Sequence, residues 1–211
     1  MSKSKKNKNI ENFGEEPFSE TLNKWLKSEH VNNVASLNDV FGEKTFAITF
    51  LLLMSFPALP IPTGGLSHVF EVIVMLLSLQ LIIGRKVLWL PNKWKNKHLG
   101  KNMEEKAIPI LIKYITKLEK ISKPRMSRFL DGKVGTSLFG IIIFSFTLVA
   151  LLAPPFSGLD TLPSIGVIVI ALGIILGDIL FVIVGMIIGT SGVAVTYFIG
   201  EIVINFIKGL F

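Results

Sequence analysis

Residues 45–62, TFAITFLLLMSFPALPIP, join a long apolar run to three prolines within the last six positions. As a helix, eighteen residues would reach roughly 27 Å, barely the thickness of a bilayer core. Proline lacks an N–H and clashes with the preceding helical turn, so regular helix cannot continue through residues 57–62. Gly64 and Gly65 follow after Thr63. The stretch therefore predicts a break at or inside a membrane, whose freed backbone groups are buried in protein or face water.

A second apolar run follows this break at residues 66–84 and ends in Gly84-Arg85-Lys86, with Trp89 shortly after. Arginine and lysine reach towards the headgroups from a helix end, and tryptophan prefers the same layer. This end of the run is therefore predicted to lie at a membrane surface.

The C-terminal part repeats the arrangement. Residues 134–153 form a 20-residue apolar span, a Pro154-Pro155 loop extends to Pro163, and apolar residues 164–177 lead to Asp178 and a last apolar run at 179–207. Pairs of glycines four apart (Gly173 with Gly177, and Gly185 with Gly189) would let helices approach closely. The fold prediction is an all-α, polytopic membrane helical bundle with two proline-broken, hairpin-like repeats, which are parallel if each crosses twice.

Charge divides the chain into four parts. Residues 1–43 form an N-terminal segment, with 1–16 expected to be disordered, and 44–86 form the first membrane repeat. Residues 87–133 form a basic linker, and 134–211 form the second repeat with a C-terminal helix. Residues 85–133 hold fourteen Lys or Arg against four acids. The positive-inside effect therefore predicts a multi-pass membrane protein with its N-terminus and central loop in the cytoplasm.

The linker contains an amphipathic pattern. Apolar residues recur at helical spacing from Ile108 to Ile121, and most lysines lie off that stripe. Such a helix can lie on the inner membrane surface or pack on the protein's own cytoplasmic cap, and the pattern leaves both open.

Composition excludes several function classes. The chain has no cysteine, which rules out disulfides, thiolate metal sites and cysteine nucleophiles. No phosphate-binding or dinucleotide-binding loop and no catalytic triad order is found, so neither an enzyme nor a cofactor is predicted. The basic charge lies between membrane segments, which favours anionic lipid headgroups over nucleic acid as its partner.

Polar residues within the apolar runs are the candidates for function. His68 and Glu71 would share a helix face; a polar pair near water, a place on a transport pathway and a metal site remain open, although two ligands are too few for a defined metal site. Asp178 either occupies a cytoplasmic turn or faces the bundle interior. Gln80 is either a contact between helices or a substrate contact. Arg85 and Arg125 either anchor the membrane edge or clamp an anionic headgroup.

Several motifs resemble the bacterial ExoD family of exopolysaccharide synthesis, from about Ser36 to Gly189. The most specific is Gln80-Leu81-Ile82-Ile83-Gly84-Arg85 followed by Trp89-Leu90-Pro91. The family is also resembled by segment 36–43, the Pro60-Ile61-Pro62 break with Gly64 and Ser67, Glu119 followed by Lys123-Pro124-Arg125, Pro155-Phe156 and Leu162-Pro163. Two positions depart from it: Glu71 stands where the family has glycine, and only Asp178 remains of a Glu-Arg-Asp-Gly run.

Two functions are compatible with this resemblance. One is a carrier or translocase for an anionic or lipid-linked substrate; the other is a non-transporting assembly or regulatory subunit that binds other polysaccharide-synthesis proteins or itself. The resemblance implies a protein of the bacterial inner membrane that takes part in exopolysaccharide synthesis, and it implies no catalytic residues. The candidate substrate-binding set is Pro60, Pro62, Gly64, Ser67, His68, Gln80, Arg85, Arg125, Pro155, Pro163 and Asp178.

Overall fold

A computed structural model describes residues 16–28, 32–59, 65–130, 132–154 and 156–208. Within these ranges the chain is helical, and no extended strand is found. The helices are α1 (Phe18–Leu26), α2 (Val34–Phe41), α3 (Lys44–Met54), α4 (Leu66–Ile82), α5 (Asn92–Lys95), α6 (Ile108–Glu119, entered through a π-helical turn at Met103–Ala107), α7 (Ser127–Leu130), α8 (Lys133–Leu152), α9 (Thr161–Leu176) and α10 (Ile179–Lys208). The all-α prediction is confirmed for the described residues.

The five apolar helices α3, α4, α8, α9 and α10 pack into one bundle. The most extensive contacts join α9 to α10, α4 to α8 and α3 to α9. Two of these helices, Lys133–Leu152 and the first 24 residues of α10, are long and apolar enough to cross a membrane; α3, α4 and α9 are shorter.

Glycines set how closely α9 approaches α10. A Cβ added to Gly166 would lie 2.6 Å from the Cα of Gly189, and one on Gly185 would lie 2.7 Å from the backbone nitrogen of Ile170. The predicted role of Gly185 and Gly189 in close approach is therefore confirmed. Gly177 plays a different part, because it ends α9 in the left-handed conformation.

Each of α4 and α9 ends in the same kind of turn. Gly84 and Gly177 have φ values of 80° and 67°, which side-chain-bearing residues rarely adopt. The next residue then donates its N–H back into the helix: Arg85 to the Gln80 carbonyl at 3.0 Å and Asp178 to the Gly173 carbonyl at 2.9 Å. This turn brings Arg85 and Asp178 to the ends of the bundle helices.

The two predicted breaks interrupt the helices, with one correction. Helix α3 ends at Met54 and residues 55–59 form turns, while α8 ends at Leu152 and the chain is non-helical at 153, 154 and 156–160. Extending the second break to Pro163 was wrong, because α9 begins at Thr161. Proline is accommodated in a first helical turn, where its missing N–H has no intrahelical partner to lose.

Helices α1, α2 and α6 form a cap at the end of the bundle that holds the turns after Gly84 and Gly177. Ile108, Leu111 and Ile115 are buried on α6, and α6 packs against α1. The backbone N–H and the hydroxyl of Ser19 both donate to the Glu119 carboxylate, which ties the two helices together. The apolar stripe of the linker thus packs on the protein's own cap. The region 1–15, part of the segment predicted to be disordered, lies outside the described residues.

Candidate functional site

A buried acid lies in the first two turns of α4, next to the first break. The Glu71 side chain has no solvent exposure, and its Oε2 lies 2.7 Å from Nδ1 of His68. Its other oxygen, Oε1, is buried without a hydrogen-bond partner among the described residues. The His68 side chain keeps 22% of its surface exposed. The helical spacing of three therefore produces the predicted pair, and it connects a fully buried carboxyl to the protein surface.

Other predicted residues lie at the same end of the bundle. Ser67 is buried one residue before His68, and Pro163 is buried in the first turn of α9. Asp160, which directly precedes α9, is close enough to act electrostatically on Glu71. Four predicted contacts, at Pro60, Pro62, Gly64 and Pro155, lie outside the described residues.

Gln80 and Arg85 form a different arrangement at the opposite end of α4. The Gln80 side chain accepts from the Trp89 N–H at 2.9 Å and donates to the Trp89 carbonyl at 3.1 Å. Arg85 is exposed, with its guanidinium 5.8 Å from the centre of the Trp89 ring. The most specific sequence motif of the chain is therefore a clamp in which one amide satisfies both backbone groups of Trp89. Gln80 does not face the interior of the bundle.

A second amide repeats this clamp on the neighbouring residue. Asn38 is buried on α2; its side chain donates to the Leu88 carbonyl at 2.8 Å and accepts from the Leu88 N–H at 3.3 Å. Sequence reasoning missed Asn38, although its type and its place in the motif 36–43 could have indicated a buried polar contact. Together the two amides fix the extended segment 88–89 against the bundle.

Asp178 lies in the turn between α9 and α10 and is 1% exposed. Its carboxylate accepts from the N–H groups of Lys123 at 3.0 Å and Leu180 at 3.1 Å, and it lies 3.5 Å from the Arg125 guanidinium. Burial acts to raise the pKa of Asp178, but these hydrogen bonds and the charge of Arg125 outweigh it and hold the pKa below its ordinary value. The sequence left open whether Asp178 occupies a turn or faces the bundle interior, and the structure has it in the turn. There it attaches the end of the basic linker to the bundle.

A cavity of about 630 Å³ opens between the cap and the bundle. Lys44 lies on it and donates from Nζ to the Ile175 carbonyl at 3.2 Å, near the C-terminal end of α9. Glu119 lies on it as well but is already bonded to Ser19. Neither residue was predicted as part of a site, and no periodic signal in the sequence marks them. Inside the bundle, the cavity bounded by α3, α4, α8 and α9 measures only about 20 Å³.

The predicted site residues therefore form three separate groups in the described parts of the chain. Ser67, His68 and Pro163 lie near the breaks with Glu71; Gln80 and Arg85 lie at Trp89; Arg125 and Asp178 lie at the linker. No three His, Asp or Glu side chains converge in the described ranges in a way that could hold a metal ion.

Comparison with known proteins adds the following. The family model described as "Exopolysaccharide synthesis, ExoD" matches residues 18–198. A protein of Synechocystis sp., slr1875, named as uncharacterized, is 32% identical over 78% of this chain and 79% of its own length. Protein ExoD of Rhizobium meliloti is 29% identical over 76% of this chain and 68% of its own length. No solved structure matches the chain significantly.

Proposed function

The chain belongs to the ExoD family and so to exopolysaccharide synthesis, and from this premise we propose that it acts there as an integral membrane carrier with its cap in the cytoplasm. The substrate class in this proposal is an anionic or lipid-linked precursor. The observation that carries it is Glu71, an ionisable group wholly buried in the bundle, because such groups are expensive in apolar surroundings and mark transport pathways.

Exposed apolar surface supports membrane integration. Only 22% of an apolar 18-residue stretch within Ile179–Ile202 of α10 is buried. Ile187 and Ile202 of the same helix are 65% and 67% exposed. Apolar surface in water costs about 25 cal/mol per Å², so a helix with this much exposed surface requires an apolar partner. A bilayer provides one along the whole helix.

Charge supports the orientation. Residues 1–44 and 85–133 hold every arginine of the chain and every lysine except Lys208, whereas residues 45–84 and 134–207 hold none. On the break side of the bundle, Lys208 at the end of α10 is the one lysine of the described helices, and the cap end holds most of the positive charge. The positive-inside effect assigns such an end to the cytoplasm.

A constant spacing supports the internal repeat. Gly65 and Gly158 are 93 positions apart, as are Gly84 and Gly177, and all four have positive φ. Buried positions recur at the same spacing: Phe46 and Phe139, Ala47 and Gly140, Phe50 and Ile143, Met54 and Thr147, Glu71 and Ser164, Val74 and Val167, Leu77 and Ile170, Ser78 and Ala171. Exchanging the halves converts the contact between α4 and α8 into the contact between α9 and α3, and both contacts exist. These features fit two parallel repeats related by a two-fold axis, with Glu71 and Ser164 in equivalent positions.

One observation favours a second candidate, a non-transporting assembly or regulatory subunit. Among the described residues, a cavity between the bundle helices measures about 20 Å³, too little for a sugar, and the cavity of about 630 Å³ lies outside the bundle at the cap. A packed membrane domain with a broad cytoplasmic cap is the arrangement expected of a docking subunit. As a carrier, the protein must open the bundle to admit its substrate.

Complementation of an exopolysaccharide-deficient deletion strain separates the two functions. We expect Glu71→Gln to abolish polymer secretion at matched membrane abundance, while Glu43→Gln, at a carboxylate that pairs with Lys86 at the cap end, retains it. The docking alternative predicts the opposite result. Tyr114→Ala, on the exposed face of α6, should then abolish secretion, and Glu71→Gln should not. Full secretion by Glu71→Gln together with loss in Tyr114→Ala would refute the carrier.

A further inference from the structure

Among the described residues, no lysine or arginine pairs with the buried carboxyl of Glu71. The bundle helices contain no lysine or arginine apart from the end residues Lys44, Lys133 and Lys208. The neighbouring titratable groups are His68 on its own helix and Asp160 at the start of α9. An anionic Asp160 opposes a second negative charge on Glu71. Neutrality at Glu71 therefore depends on His68 or on a cation from outside the protein.

The contacts of the Glu71 carboxyl fit a protonated acid. Oε2 meets His68 Nδ1 at 2.7 Å, and Oε1 is buried without a partner among the described residues. An ionised carboxylate in an apolar interior needs several donors, and the described residues offer one. A protonated carboxyl needs only one acceptor for its O–H, and a neutral imidazole nitrogen provides it. Burial and geometry both favour the neutral acid.

His68 connects this acid to water. Its ring nitrogen Nδ1 contacts Glu71, while the side chain is partly exposed near the first break. A proton that leaves Glu71 enters His68 at Nδ1, and the imidazolium then releases its Nε2 proton to water. Uptake follows the same steps in reverse, so the exchange needs no other reactant.

We propose that Glu71 and His68 form a proton-binding site, in which Glu71 holds a proton within the bundle and exchanges it through His68 at the break end. The site goes beyond the carrier proposal, because it stands whatever the protein carries. In a carrier it supplies the group through which proton binding and the movement of the two halves are coupled. A metal ion is a poorer occupant, since one carboxylate and one imidazole fall short of a metal's usual coordination.

The test measures protonation directly, without any activity. Purified full-length protein in detergent is treated with dicyclohexylcarbodiimide, an apolar reagent that modifies protonated carboxyls, between pH 6 and 10, and modification is located by mass spectrometry. We expect Glu71 to be modified at pH 7 and at least tenfold more slowly at pH 10. Glu43, a partly exposed carboxylate paired with Lys86, is the internal control and should remain unmodified at pH 7.

A second measurement covers the case in which the reagent cannot reach the site. Infrared difference spectra between pH 7 and pH 10 should show loss of one protonated-carboxyl band in the wild type and no such loss in Glu71→Gln, whose folding is checked by gel filtration. Absence of that band in the wild type would overturn the proposal. Modification that sodium or potassium suppresses at constant pH would also overturn it, in favour of a metal-cation site. Because neither readout needs transport, the proton site can fail while the carrier stands, and the carrier can fail while the site stands.

Discussion

Gly166→Ala provides a direct test of the closest helix contact in the bundle. The added Cβ would lie 2.6 Å from the Cα and 2.7 Å from the backbone nitrogen of Gly189, and 3.0 Å from the Gly185 carbonyl oxygen. All three neighbours are backbone atoms, so no side chain can rotate away. Helix α9 must therefore move from α10 by a large part of an ångström.

The magnitude follows from a matched control. Gly200→Ala, on the same helix as Gly189, meets nothing within 4 Å. Both substitutions gain about 1 kcal/mol of helix propensity, so that gain cancels in the difference between them. What remains is the overpacking cost at Gly166, about 1–3 kcal/mol. For a chain of this size, each kcal/mol lowers the melting temperature by roughly 2–4 °C.

The assay is thermal unfolding of the purified variants in one detergent, with helicity followed by circular dichroism. We expect Gly166→Ala to melt roughly 2–12 °C below Gly200→Ala, and Gly200→Ala to melt at or slightly above the wild type. Equal melting temperatures for the two variants would refute the close approach of α9 and α10.

Three further predictions concern the cap end of the bundle. Asp178→Asn should cost about 1–3 kcal/mol at pH 7, because the buried carboxylate loses N–H and charged partners. The pKa of Asp178 is held low in the folded protein, so its full stabilising effect is present above the unfolded pKa of about 3.9 and is lost as the pH falls through the folded pKa. Unfolding curves of the wild type and Asp178→Asn from pH 2.5 to 7 measure this effect. A difference in unfolding free energy that stays constant with pH would contradict it. Gln80→Leu keeps the size of the side chain but leaves both backbone groups of Trp89 without the amide, so we expect faster proteolysis after Lys86. Gln80→Glu should be intermediate, because it keeps an acceptor for the Trp89 N–H. Equal cleavage rates in the wild type and both variants would refute the role of Gln80 in holding this segment. Arg85→Lys should lower polymer secretion several-fold at equal abundance if its guanidinium holds an anionic headgroup, since lysine keeps the charge and loses the two-pronged geometry, whereas full secretion would leave Arg85 as an interfacial anchor.

Local constraints explain what could be predicted from the sequence. Proline chemistry marked both breaks before any tertiary contact was known, since the loss of an N–H acts within one helical turn. Long apolar runs without lysine or arginine identified the bundle helices, and the glycines at 185 and 189 indicated their close approach. The pair His68 and Glu71 followed from helical spacing alone. Pro163 was misassigned because proline acts differently at the start of a helix than in its interior.

Contacts between residues far apart in the chain came only from the tertiary structure. The sequence allowed Gln80 to contact a substrate, but in the folded chain its side chain hydrogen-bonds to the backbone of Trp89. The sequence allowed Asp178 to face the bundle interior, but its carboxylate accepts from the N–H of Lys123, 55 residues earlier. The apolar face of α6 was equally compatible with a membrane surface and with the protein's own cap, and in the structure it packs against α1 of the cap. Side-chain type and periodicity fix which face of a helix is apolar or polar, but not which surface covers it. That depends on how the helices pack, and the same packing buries Glu71 and leaves His68 as its route to water.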